Sequence, residues 1–156
     1  MNRSLRLGFH RQRGTAAVEL AFLMPILLFV LLGMLFVTVF FWHYTAVQKA
    51  AQDGARYLST ISEREMREPA LAQAAARIAT QIVEAELVDL GETGRTADVQ
   101  VHCGPNRYCT GVTNGQLPQT VAVYVGINLH DVFGIVDTGR YGWLVSSTAE
   151  VSYVGR

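Results

Sequence analysis

The stretch LAFLMPILLFVLLGMLFVTVFFW, Leu20–Trp42, decides the architecture of this chain. Only Pro25, Gly33 and Thr38 interrupt its apolar character, and residues 20–48 contain no Asp, Glu, Lys or Arg. As a helix the stretch would extend about 34 Å, which is enough to cross a hydrocarbon core about 30 Å thick. A buried helix of a soluble protein is usually shorter and keeps a polar edge. The stretch therefore predicts a membrane-spanning helix.

The charges around this stretch predict its orientation. Residues 1–14 contain no acidic residue and carry four arginines, Arg3, Arg6, Arg11 and Arg13. By the positive-inside rule, these residues stay in the cytoplasm and the C-terminal part is exported. A cleavable secretory signal would have a shorter apolar run and a small-x-small site after it. Bulky Phe40, Phe41, Trp42 and Tyr44 occupy that position, so we expect the helix to remain attached to the exported part of the chain.

Composition excludes several classes of protein. The 156 residues are 50% hydrophobic and 17% charged, and 13 basic residues balance 13 acidic ones. These values argue against a disordered, collagen-like or nucleic-acid-binding chain. The length allows one domain of ordinary size.

Two helices are predicted before the sheet. After the membrane stretch, apolar residues recur at three- and four-residue steps and predict one apolar stripe: Ala46, Val47, Ala50, Ala51, Ala55, Tyr57 and Leu58. The pattern predicts one continuous helix from about Thr15 to about Ser59. Glu68-Pro69 is typical of a helix start, and Gly91 is a plausible C-terminal stop. We expect this second helix to bury one apolar face, made of Leu71, Ala75, Ile78, Ile82 and Ala85. The charge cluster between the helices, Glu63-Arg64-Glu65 with Arg67-Glu68, predicts a solvated turn rather than a binding site.

From residue 96 the apolar pattern alternates with period two, which is typical of strands. The alternation is clearest over residues 121–129 and recurs at Val99 and Val101 and over residues 143–153. Strands that come after helices, rather than alternating with them, predict an antiparallel sheet. The predicted fold class is α+β: a long membrane helix that continues into an outer domain with a second helix and a three- to four-stranded sheet. The predicted parts are a basic leader (1–14), the long helix (15–60) and the extracytoplasmic domain (61–156).

Cys103 and Cys109 flank a loop, Gly-Pro-Asn-Arg-Tyr, that turns easily. In an oxidising compartment they are predicted to form a disulfide, which would stabilise the fold by about 2 kcal/mol on the loop-entropy model. A zinc site with His102 is the alternative. A strand would point His102 and Cys103 to opposite faces, and no fourth ligand is evident, so the disulfide is favoured and no metal site is expected.

No catalytic site is predicted. The sequence lacks G-x-S-x-G, H-E-x-x-H and a phosphate-binding glycine loop. The adjacent pair His130-Asp131 falls at a strand end, where such pairs are usually solvated. We therefore expect neither an enzyme nor a cofactor.

The N-terminal region resembles a known family. The stretch RGTAAVELAFLMPILL, Arg13–Leu28, is similar to the start of a TadE-like pseudopilin of the tight-adherence (Flp-type, type IVb) pilus system. The resemblance rests on a basic leader ending in Gly14, on Val18-Glu19, on Pro25 in an apolar helix, and on QKAAQDGARYLS, which contains Gly54-Ala55-Arg56. It covers residues 10–60. One departure is Leu20, where type IVb prepilins usually place Tyr or Phe.

The resemblance implies a structural assembly protein that resides in the bacterial inner membrane or is incorporated in the pilus. A prepilin peptidase would cut between Gly14 and Thr15 on the cytoplasmic side, and Glu19 would become the fifth residue. Glu19 would pair with the free amine of a neighbouring subunit, and Pro25 would kink or loosen the helix. The implied partners are other pilin or pseudopilin subunits, the assembly machinery, the peptidase and the lipid bilayer. The length indicates a minor rather than a major subunit.

Alternatives remain at this point. The chain could be an unprocessed single-pass membrane protein whose outer domain binds another envelope protein, and Glu19 would then be an interfacial residue that reaches water. A membrane-anchored enzyme is the third possibility, which lacks any catalytic constellation. Pro25 could equally be a tolerated transmembrane proline.

Overall fold

The structure is a computed structural model that describes residues 15–104, 108–109, 111–112, 116–130 and 138–155. The chain divides into two compact units, Met1–Val39 and Phe40–Arg156. The predicted α+β class is confirmed, since a long N-terminal helix and shorter helices precede a three-stranded antiparallel sheet.

Helix α1 extends over Thr15–Thr60 and contains Pro25. Its end is thus within one residue of the predicted one. In its outer part, a stripe of small and medium side chains is buried: Val47, Ala50, Ala51, Ala55 and Leu58. This stripe largely matches the predicted one and packs into the core of the second unit.

The charged segment after α1 is a short helix rather than the turn that we predicted. Helix α2 covers Glu63–Arg67, and Ser62 caps its N-terminus. The Ser62 hydroxyl accepts a hydrogen bond from the Glu65 N–H at 3.3 Å, and the Ser62 N–H donates to the Glu65 carboxylate at 3.0 Å. This reciprocal capping box satisfies amides that a helix start would otherwise leave unpaired. The hydrogen bonds from Ser62 lower the pKa of the Glu65 carboxyl.

Helix α3 covers Pro69–Leu87 and continues as a 3₁₀ turn, Val88–Leu90. Gly91 ends it with a positive φ of 64°, as predicted for the stop. A short helix, α4, comes next over Glu92–Arg95.

The predicted apolar face of α3 is wrong. Of the residues assigned to it, Leu71 is 39% and Ile78 is 44% exposed, Ala85 is exposed and Ile82 is half-buried, and only Ala75 is buried. The buried face consists instead of Ala72, Ala75, Ala79, Val83 and Leu87. Ala79 and Val83 lie where α3 approaches α1 closely at Gly54, and Ala72 lies against Gly111, so the buried face is made mostly of small side chains.

The sheet is a meander of β1 (Asp98–Cys103), β2 (Thr120–Leu129) and β3 (Trp143–Ser152), with β2 in the centre. Both pairings are antiparallel, with Val123 opposite Val101 on one side and Ala149 on the other. The alternation in β2 has its predicted result, because one face of the strand is buried: Val121, Val123, Val125, Ile127 and Leu129.

Candidate functional site

The membrane stretch of α1 leaves its apolar side chains uncovered by the rest of the described chain. Between residues 18 and 37 most of the large apolar side chains are exposed, including Phe22 at 73% and Phe29 at 78%. By length and composition, the Ala17–Thr60 part of α1 is long and apolar enough to cross a membrane. Apolar side chains on all sides of a helix require lipid or other apolar helices around them.

Glu19 is an exposed carboxylate at the start of this apolar surface. It is the fifth residue of α1, close to the helix end where unpaired N–H groups create partial positive charge. That charge stabilises a carboxylate near lipid but does not neutralise it. The next cationic residue towards the C-terminus is Lys49, far beyond the apolar stretch. Within this chain, the Lys and Arg residues nearest to Glu19 in sequence are therefore those that precede it, such as Arg13.

The other residues predicted for processing and assembly are only partly described. Gly14 lies outside the described residues, and Thr15 is the first residue of α1. Helix α1 continues through Pro25 as one element. Because proline has no N–H, the carbonyl of Ala21 loses its usual helical donor there.

The outer part of α1 is attached to the domain at both of its ends. Lys49 forms a salt bridge at 2.5 Å with Glu86 on α3. At the far end, the Val154 N–H donates to the Ser59 carbonyl at 3.1 Å, and the Tyr153 hydroxyl donates to the Ile61 carbonyl at 2.9 Å. The segment after β3 thus satisfies carbonyls that the end of α1 would otherwise leave unpaired. Burial raises the pKa of the Tyr153 phenol, and the charge of Glu63 raises it further.

Sequence reasoning missed this C-terminal attachment. Its acceptors are backbone carbonyls, and the Tyr153–Ile61 bond joins residues 92 positions apart. Tyr153 at the end of an alternating strand was the one available signal.

Cys103 and Cys109 lie together in a disulfide, with their Cα atoms 4.6 Å apart. Both side chains are buried, at 1% and 4% exposed, and belong to the apolar core. The bridge therefore attaches the segment after β1 to the core. The segment continues to Gly111, which has φ +83° and lies so close to the Met66 carbonyl that a Cβ there would collide with it.

The residues considered for metal binding or catalysis are not brought together. His102 lies opposite Ala122 in the sheet register and shares the outer sheet face with Glu150. His130 is exposed, and Asp131 lies outside the described residues. Among the residues that the structure describes, no group of three His, Cys, Asp or Glu side chains could hold a metal ion.

These features define a class of protein. An exposed apolar helix that is long enough to cross a membrane continues into a small α+β domain, which is the arrangement of a membrane-anchored protein with an outer domain.

The comparison with known families agrees. Residues 14–56 match the model of the family described as TadE-like protein, which confirms the resemblance seen in the sequence. The match covers α1 as far as Arg56 and leaves the rest of the outer domain unmatched. No curated protein and no solved structure matches the chain.

Proposed function

We propose that this chain is a minor pilin or pseudopilin of a tight-adherence (Flp-type IVb) pilus. In this proposal a prepilin peptidase removes residues 1–14, residues 15–60 form the assembly helix, and residues 61–156 form the exported domain. The observation that carries the proposal is the exposed apolar surface of α1, which lies within the stretch matched to the TadE-like family. In the bilayer lipid covers this surface, and in an assembly the helices of other subunits cover it.

Glu19 would give this assembly its register. Removal of residues 1–14 would free the amine of Thr15, four residues before the Glu19 carboxylate. In a bundle of such helices, the amine of one subunit can pair with Glu19 of the next. A charge-assisted contact in a low-dielectric site is worth about 2–3 kcal/mol, and an unpaired carboxylate there is unfavourable. Each subunit would therefore be held at the position along the bundle axis at which its Glu19 pairs with the amine of a neighbouring subunit.

The test is to produce the Glu19→Ala variant in cells that make the pilus system, and to measure which pilus subunits co-purify with it. We expect processing and membrane insertion at normal levels, because removing a charge from the lipid edge does not oppose insertion. Co-purification with other pilus subunits should be lost. Glu84→Ala is the matched control, since it removes an exposed carboxylate from α3, and it should retain co-purification.

Two results would contradict the proposal. If Glu19→Ala leaves subunit association unchanged, Glu19 is an interfacial residue of a single-pass membrane protein. If the variant fails to accumulate in the membrane, Glu19 serves insertion rather than assembly.

A further inference from the structure

One end of the sheet carries exposed aromatic and aliphatic side chains that the proposed assembly through α1 does not use. Tyr141 is 77%, Trp143 43% and Leu144 64% exposed, and Arg140 beside them is also exposed. The backbone holds this group in place. Gly142 has φ +71°, and a Cβ there would lie 2.8 Å from the Leu129 carbonyl, so the chain between Tyr141 and Trp143 is packed against the end of β2.

The contacts along α1 show which end of the domain this is. Val154 and Tyr153, which come directly after β3, bond to the Ser59 and Ile61 carbonyls at the end of α1. Further back along the helix, Gly54 faces Val123 of β2. Strand β2 therefore runs antiparallel to α1, towards the part of the helix nearest the membrane stretch.

The length of β2 brings its end close to that stretch. Six residues separate Val123 from Leu129, which is about 20 Å of strand. The same distance along a helix is about 13 residues, from Gly54 to about residue 41. The packing agrees with this estimate, because Phe40 packs against the core and His43 is only 8% exposed. Leu129 is paired with Trp143. By this estimate, which takes the axes of β2 and α1 as aligned, Trp143 lies at about the level of Trp42, where the apolar run ends.

We propose that Arg140, Tyr141, Trp143 and Leu144 form a membrane-contact surface that rests in the headgroup region of the bilayer. Tryptophan and tyrosine favour this region because an apolar ring and a polar N–H or O–H are both satisfied there. Arginine can extend its cation to the phosphates from the same depth. The surface is level with the end of the membrane-spanning stretch, so lipid lies within its reach. The contact would hold the outer domain against the membrane before assembly and does not require cleavage at Gly14.

The two tryptophans of the chain, Trp42 and Trp143, allow a direct test. The full chain with Trp42→Phe is reconstituted into phosphatidylcholine vesicles whose acyl chains carry bromine near the carbonyl group. We expect Trp143 to emit at shorter wavelength than in water and to lose most of its emission to bromine quenching.

Tyr108 supplies the matched control. It is 78% exposed and adjoins Cys109, whose disulfide partner Cys103 pairs with Val121 at the opposite end of β2. A chain with Trp42→Phe, Trp143→Phe and Tyr108→Trp should show no bromine quenching. Circular dichroism of each variant verifies the fold.

If Trp143 is quenched no more than the tryptophan at position 108, the surface does not contact lipid and the proposal is wrong. The same conclusion holds if Trp143 becomes shielded only when other pilus subunits are added, because the surface would then bind protein.

Discussion

Gly54 is the position at which the packing of α1 can be tested most sharply. A Cβ placed there would lie 2.8 Å from Val83 Cγ2, and 3.6 Å from both the Ala79 carbonyl oxygen and Val123 Cγ1. Val83 and Val123 are fully buried, and valine is stiff about χ1, so neither can move aside easily. Helix α3 and strand β2 thus pack closely against α1 at the place where a side chain on residue 54 would lie.

We predict that Gly54→Ala destabilises the outer domain by about 1 kcal/mol. Alanine gains about 1 kcal/mol of helix propensity over glycine, and overpacking a core of this kind costs about 1–3 kcal/mol. Val83→Ala alone should cost about 2 kcal/mol, because it removes buried methyl groups and leaves a cavity. In the double variant, the methyl group added at position 54 enters the cavity left at position 83. The double variant should therefore lose only about 1 kcal/mol of stability, rather than the sum of about 3 kcal/mol.

The assay is urea-dependent proteolysis of the full-length protein in detergent, which reports unfolding of the outer domain. Gly33→Ala is the control in the same helix, because a Cβ at Gly33 meets nothing within 4 Å. Because Gly33 belongs to the first unit, Met1–Val39, and not to the unit whose unfolding is measured, this variant should leave the unfolding midpoint unchanged. Strictly additive losses in the double variant, or stabilisation by Gly54→Ala alone, would refute the close approach of the two helices.

Two further predictions concern the outer domain. Tyr153→Phe should cost about 1 kcal/mol by removing the hydrogen bond to the Ile61 carbonyl. Because the pKa of Tyr153 is raised above its ordinary value of 10.0, the folded state keeps the proton that the unfolded state loses. The stabilisation that this group contributes is therefore fully present below pH 10 and is lost as the pH rises through the folded pKa. In urea titrations, the Tyr153→Phe variant should show a smaller loss of stability over this pH range. Alkylation of protein taken from cells without reductant should leave Cys103 and Cys109 unmodified, and reduction should lower stability by about 2 kcal/mol; modified thiols before reduction would contradict the bridge.

The parts of the fold that could be predicted are those in which one strong periodic signal acts alone. The apolar run of α1 and the alternation of Val121 to Leu129 in β2 each exclude other local structures. The face of α3 could not be predicted in this way, because large side chains were assumed to lie inside. Ala79 is inside because Gly54 brings α1 close to α3 there, and Ala72 is inside where Gly111 packs against it.

The same distinction applies to the residues of the candidate site. Glu19 and Pro25 were identifiable because an acid and a proline are conspicuous in an apolar helix. The C-terminal cap of α1 and the pairing of Trp143 with Leu129 depend on tertiary packing between distant segments. Periodicity carries no information about such contacts, so they could be found only in the structure.

The mature N-terminus of the membrane-extracted protein tests the central claim most directly. Sequencing or intact-mass measurement should be made on protein from cells that assemble the pilus, beside a Gly14→Leu control that obstructs the close backbone approach favoured by glycine. The account predicts a chain that begins at Thr15 and a control that keeps its leader. A wild-type protein that still begins near Met1 in piliated cells would contradict it.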